Sequence, residues 1–71
     1  MQTILRRIRD EKGRFCYASG FKCGHIVWDS EIEKALRFDS EFSARLRLSR
    51  LWAAEVTPEL LADYGIEFIE I

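Results

Sequence analysis

Two cysteines and a single histidine are all the chain offers of the thiolate and imidazole ligands that zinc takes, and Cys16, Cys23 and His25 fall at the spacing C-x6-C-x-H. That order lacks the tight C-x2-C knuckle of structural zinc sites and supplies three ligands where four are needed; Asp29 or a second chain would have to complete the shell. No metal is therefore expected. The thiols read as small apolar residues in a reducing compartment, with a cross-strand disulfide between Cys16 and Cys23 as the alternative. Nor do these residues make a Cys-His nucleophile, since no orienting acid or oxyanion loop accompanies them. The four glycines, at positions 13, 20, 24 and 65, never cluster into a phosphate cradle. With one proline and no low-complexity tract there is no linker, and residues 1–71 read as a single domain. No apolar run approaches the roughly 18 residues that span a bilayer, and the charges from Arg6 onward leave no secretory apolar core. A cytoplasmic protein without membrane contact is expected. An excess of one charge is also missing: 11 basic and 12 acidic residues give a net charge of -1, which argues against a polyanion binder of the strongly basic kind.

What the chain does have is apolar material. A domain of 71 residues buries only about 60% of its unfolded surface, so its core must be dense. The 48% hydrophobic content, including two Trp, two Tyr and five Phe, is enough for one core, and 32% charged residues cover the outside.

Residues 1–9 read as a strand with Ile4 and Ile8 on one face, Arg6 between them and Leu5 opposite. Asp10-Glu11-Lys12-Gly13 supplies turn chemistry, and residues 14–19 return as a second strand with Phe15 and Tyr17 on one face and Cys16 and Ala18 on the other, ending at Gly20. Residues 21–27 alternate poorly; a short strand at 25–27 is expected, with an ordered loop as the alternative. Ser30-Glu31-Ile32-Glu33 has the form of a capping box opening a helix of about two turns. Asp39 or Ser40 then caps a second helix, over about 40–55, with Phe42, Leu46, Ala53 and Val56 facing the core and Leu48 and Trp52 beside them. Arg45 interrupts that arc and must snorkel past it or meet a carboxylate. Thr57-Pro58-Glu59 and Gly65 punctuate a third helix, Pro58–Tyr64, and residues 66–71 read as a terminal strand. The expected fold is α+β: a small, mainly antiparallel sheet of an N-terminal hairpin and a C-terminal strand, with two or three helices on one face.

Charge is unevenly placed. Residues 1–25 carry Arg6, Arg7, Arg9, Lys12, Arg14 and Lys22 against two acids, whereas residues 51–71 carry Glu55, Glu59, Asp63, Glu67 and Glu70 and no basic residue. The plainest reading sets the two ends side by side, where they neutralise each other. Carboxylate pairs such as Glu31 with Glu33, or Asp39 with Glu41, are accounted for by helix starts rather than by acid/base chemistry. No enzymatic activity and no cofactor is expected.

The series W-x3-I-x2-A-x2-F-x-S-x3-A, following a short strand and an aromatic-bearing strand after a K-G turn, resembles a pattern in small accessory proteins of bacteriophages and prophages. The matching residues, within roughly 4–44, are Ile8, Arg9, Gly13, Tyr17, Trp28, Ile32, Ala35, Phe38, Ser40 and Ala44. Those of this size with known roles include stoichiometric inhibitors of host defence, among them anti-CRISPR proteins. The resemblance implies a cofactor-free binding module that acts by occlusion, its partner a bacterial host protein such as a nucleic-acid-binding defence effector. Glu55, Glu59 and Asp63 are the expected partner-binding residues, entering a basic channel. The alternative is a nucleic-acid-binding or regulatory module that uses Arg6, Arg7, Arg9, Lys12 and Arg14 of the hairpin, with Phe15, Tyr17 and Phe21 as stacking platforms. The chain is expected as a monomer or a homodimer.

Overall fold

In the computed structural model, residues 1–8 and 12–71 are described. Strands β1 (Thr3–Ile8), β2 (Phe15–Lys22), β3 (His25–Asp29) and β4 (Ile66–Glu70) form one antiparallel sheet in the order β3-β2-β1-β4. Helices α1 (Glu41–Trp52) and α2 (Pro58–Tyr64) cover one face. The α+β architecture inferred from the sequence is therefore the observed one.

Alternation sets the register. On the helix side Leu5, Arg7, Cys16, Ala18, Ile66 and Phe68 share a face, with Leu5 opposite Phe68 and Arg7 between Cys16 and Ile66. On the other side Arg6 stands between Tyr17 and Glu67. The core is Leu5, Ala18, Ala44, Leu48, Val56, Leu61 and Ile66, ringed by half-buried aromatics that include Trp28, Trp52 and Phe68.

Several local expectations need correction. Strand β2 does not stop at Gly20: it bulges between Ala18 and Gly20 and runs on to Lys22, so glycine here serves the bulge. The β2–β3 connection is a two-residue turn in which Cys23 and Gly24 both have positive φ, 52° and 76°, the signature of a type I′ hairpin. The expected strand at 25–27 is therefore present, paired with β2 and reaching Asp29. Of the turn expected at 10–13, Asp10 and Glu11 lie outside the described residues, as does Arg9; Gly13 has φ 75°.

The capping box at Ser30 does not form. Asp29 Oδ1 takes the Glu31 N–H at 2.8 Å, and the chain then makes a single 3₁₀ turn, Ile32–Lys34, without a side-chain cap. It cannot lengthen, because the sheet claims the next backbone groups. Leu36 N–H donates to the Ala18 carbonyl at 2.8 Å, and Thr3 and Phe38 exchange both backbone hydrogen bonds at 2.8 and 2.9 Å. Residues 36–38 thus bridge β2 at Ala18 and β1 at Thr3, beyond the Arg6–Tyr17 pair where the β1–β2 ladder ends.

Helix α1 begins where expected, with Ser40 Oγ accepting from Ser43 N–H at 3.1 Å. It ends sooner, at Trp52, because Ala53 turns left-handed (φ 51°, ψ 41°) and the Ser49 carbonyl accepts from both Ala53 and Ala54. Its buried stripe is Ala44 and Leu48, continued by half-buried Leu51 and Trp52. The expected core face is instead a flank, with Phe42 74% and Leu46 44% exposed; of that set Val56 is buried, in the link between the two helices. The helix carries two apolar stripes, and the sheet takes the one led by small Ala44, which permits close approach. Arg45 and Arg47 sit on the helix's two sides, over Phe68 of β4 and Phe21 of β2, at 5.1 and 4.8 Å from the ring centroids. Arg45 also meets Glu41 at 3.3 Å and the Val56 carbonyl at 3.0 Å, so it reaches a carboxylate and covers the core edge as well.

Helix α2 matches its sequence signals: Thr57 Oγ1 accepts from Leu60 N–H at 3.1 Å, Pro58 opens the helix and Gly65 closes it with φ 69°. No helix among the described residues is long and apolar enough to cross a membrane.

Candidate functional site

The arginines and carboxylates that stand out in the sequence are separated by the pleat of the sheet. Arg6 points to the open face, where Glu67 lies directly opposite and holds it at 2.6 Å; on its other side the guanidinium lies 4.0 Å from the centroid of the Phe15 ring. The sequence expectation that the basic front and acidic tail neutralise each other holds for this pair. Arg7, the next residue, points to the helix side, where its guanidinium lies 4.4 Å from the Trp28 ring centroid. Small Cys16 and Ala18 lie on the intervening strand and leave room for it to cross β2. Arg6 and Arg7 therefore belong to different surfaces. Lys12 and Arg14 are exposed beyond the hairpin and each has an interaction of its own, while Arg9 lies outside the described residues.

The acidic set behaves differently. Glu59 and Asp63 stand one turn apart on α2, Glu55 lies in the link that leads into that helix, and all three are exposed. Among the described residues no hydrogen bond or ion pair engages these carboxylates. Glu55 also borders an open hollow of about 310 Å3 with Phe42, Arg45, Leu46, Ser49 and Val56. The exposed stripe of α1 and the first acid of the expected ridge thus meet in one surface.

Cys16 is buried in the sheet and Cys23 is exposed at the hairpin turn; both are free thiols. The Cys16, Cys23 and His25 set is not assembled, and among the described residues no group of three potential ligands could hold a metal ion. Glu31 pairs with Lys34 at 3.4 Å, and Glu41 sits in the first turn of α1 with Arg45, as local helix chemistry predicts.

Sequence reasoning missed an aromatic cleft. Between β3, the end of α1 and the end of α2 is a recess of about 330 Å3 lined by Arg7, His25, Trp28, Trp52, Tyr64 and Ile66. Trp52 and Tyr64 stack with centroids 4.7 Å apart and planes 14° from parallel. Tyr64 is 51% exposed, so the stack ends at the surface. Trp28, Trp52 and Tyr64 come from three elements, and their spacing in the chain carries no signal that they converge.

The chain matches no protein-family model, no curated protein and no solved structure.

Proposed function

We propose that the protein is a non-enzymatic binding module that docks on a basic surface of a partner protein through the flank of α1 and the carboxylates beside it. In the reading that the phage-protein resemblance supplies, the partner is a nucleic-acid-binding defence effector in the bacterial cytoplasm, inhibited stoichiometrically by occlusion of its channel. The observation that carries the proposal is the contrast in partners. Arg6 has Glu67, Arg7 has Trp28 and Arg45 has Glu41, whereas Glu55, Glu59 and Asp63 have none among the described residues, and Glu55 borders the hollow that holds Phe42, the most exposed aromatic side chain of the chain's helices. An uncovered apolar knob with one unpaired carboxylate beside it and two more on the next helix fits a partner of the opposite sign with a pocket for the ring.

The alternative, nucleic-acid binding by the basic hairpin, draws less support from the geometry, because Arg6 and Arg7 face opposite sides of the sheet and Arg6 is already paired. The two readings separate experimentally. A partner is captured from bacterial lysate, and its affinity is measured for the native chain, for Glu55→Lys/Glu59→Lys/Asp63→Lys, and for Arg6→Ala/Arg7→Ala. The acidic-face reading requires the charge reversal to abolish binding and moderate salt to weaken it. Unchanged affinity after reversal, with loss in the arginine variant, would overturn it.

A further inference from the structure

The aromatic cleft shares no lining residue with the hollow beside Phe42, and the charged side chain within it is basic. Three of its walls are flat rings, Trp28, Trp52 and Tyr64, and the charged or chargeable side chains among its described lining residues are Arg7, His25 and the Tyr64 phenol, with no carboxylate. Arg7 is unusual here: its guanidinium face rests on Trp28, yet among the described residues no acceptor takes its N–H groups. A guanidinium presents five donors in a planar fork suited to phosphate oxygens. The half-exposed Tyr64 ring, parallel to Trp52 beneath it, extends a stack onto which one more planar ring fits. About 330 Å3 is the size of a small-ligand recess, enough for one nucleotide.

We infer that this cleft binds a nucleobase with its phosphate, the base stacking on Tyr64 or Trp28 and the phosphate meeting Arg7, with His25 at the rim as a second nitrogen donor. The ligand is either a free nucleotide or one unit of a single strand, since both present the same ring and the same anion.

The chain's two tryptophans both line the cleft, so intrinsic fluorescence excited at the red edge of the indole band, where nucleotides do not absorb, reads occupancy directly. The probes are thymidine monophosphate, thymidine and a single-stranded oligothymidylate. Saturable quenching by the monophosphate is expected, with thymidine weaker by about tenfold. Arg7→Gln should bring the monophosphate down to the affinity of thymidine. Tyr64→Ala should weaken both by roughly tenfold, and Tyr64→Phe, which keeps the ring, should restore them. Circular dichroism of each variant separates lost binding from lost folding, and the Tyr64 pair tests the site even if Arg7→Gln unfolds. Tighter binding of the oligothymidylate than of the monophosphate assigns the ligand to a strand, and equal binding assigns it to free nucleotide. Absence of quenching by both up to millimolar concentration, or equal affinity for thymidine and its monophosphate, would overturn the inference. None of these variants touches Phe42 or the acidic ridge, so this result stands independently of the charge-reversal arm of the docking experiment; the arginine arm shares Arg7 with the cleft, and the Tyr64 pair tells the two apart.

Discussion

Arg6 donates two hydrogen bonds to one oxygen of Glu67, at 2.6 and 3.2 Å, across 61 residues of chain. The register that sets them opposite each other is the one by which the C-terminal strand joins the N-terminal hairpin. The pair is partly exposed, 27% for Arg6 and 53% for Glu67, so it fixes alignment more than it adds stability. A double-mutant cycle with Arg6→Gln and Glu67→Gln should give a coupling of about 0.5–1 kcal/mol that shrinks on adding salt. A coupling indifferent to salt would contradict this.

The two apolar stripes of α1 should respond very differently to truncation. Leu48 is fully buried, and Leu48→Ala should destabilise by about 2–5 kcal/mol, a large share of what a domain of this size has. Leu46→Ala, at 44% exposure, should cost less than about 1 kcal/mol. Urea unfolding of the two variants measures the contrast, and equal losses would place the core stripe on the wrong side of the helix.

Two side chains sit where glycine or asparagine is favoured. Ala53 ends α1 at φ 51° and Cys23 begins the hairpin turn at φ 52°. Ala53→Gly and Cys23→Asn should each stabilise by about 0.5–1 kcal/mol, the first less than the full left-handed strain because glycine loses more chain entropy on folding, the second because asparagine tolerates this region without being free of its strain. Lying in separate turns, they should add in a thermal melt.

These positions also show where the chain is legible and where it is not. Helix α2 and strand β4 follow from local punctuation: Thr57 as cap, Pro58 at the first position and Gly65 at the close leave no competing conformation. The β2–β3 hairpin was obscured because its turn begins with cysteine, which is not a turn-forming residue, and because Gly20 serves a bulge and not an end. The failed capping box at Ser30 has a non-local cause. Leu36 and Phe38 are taken up by Ala18 and Thr3, residues 18 and 35 positions earlier, and no pattern within the segment announces that. The face of α1 was ambiguous because apolar residues recur on both sides, leaving the choice to the sheet. Of the candidate sites, the acidic residues were visible as composition. The exposure of Phe42 and the convergence of Trp28, Trp52 and Tyr64 are products of tertiary packing alone.

The N-cap of α2 holds the first turn of the helix that carries Glu59 and Asp63. Thr57→Ala removes the acceptor for Leu60 N–H and should cost about 1 kcal/mol of stability, while Thr57→Ser should recover most of it. If the helix carries Glu59 and Asp63 to a partner, Thr57→Ala should also weaken partner binding without touching either carboxylate.

The dissociation constant of the captured partner for the native chain and for Phe42→Ala, measured by titration calorimetry, tests the docking face most directly. Phe42 is 74% exposed, so the substitution should leave the unfolding midpoint nearly unchanged. Docking through this flank predicts affinity weaker by about tenfold or more, the loss of roughly 1.4–2 kcal/mol that marks a central aromatic anchor. An unchanged dissociation constant in a protein of unchanged stability would contradict it.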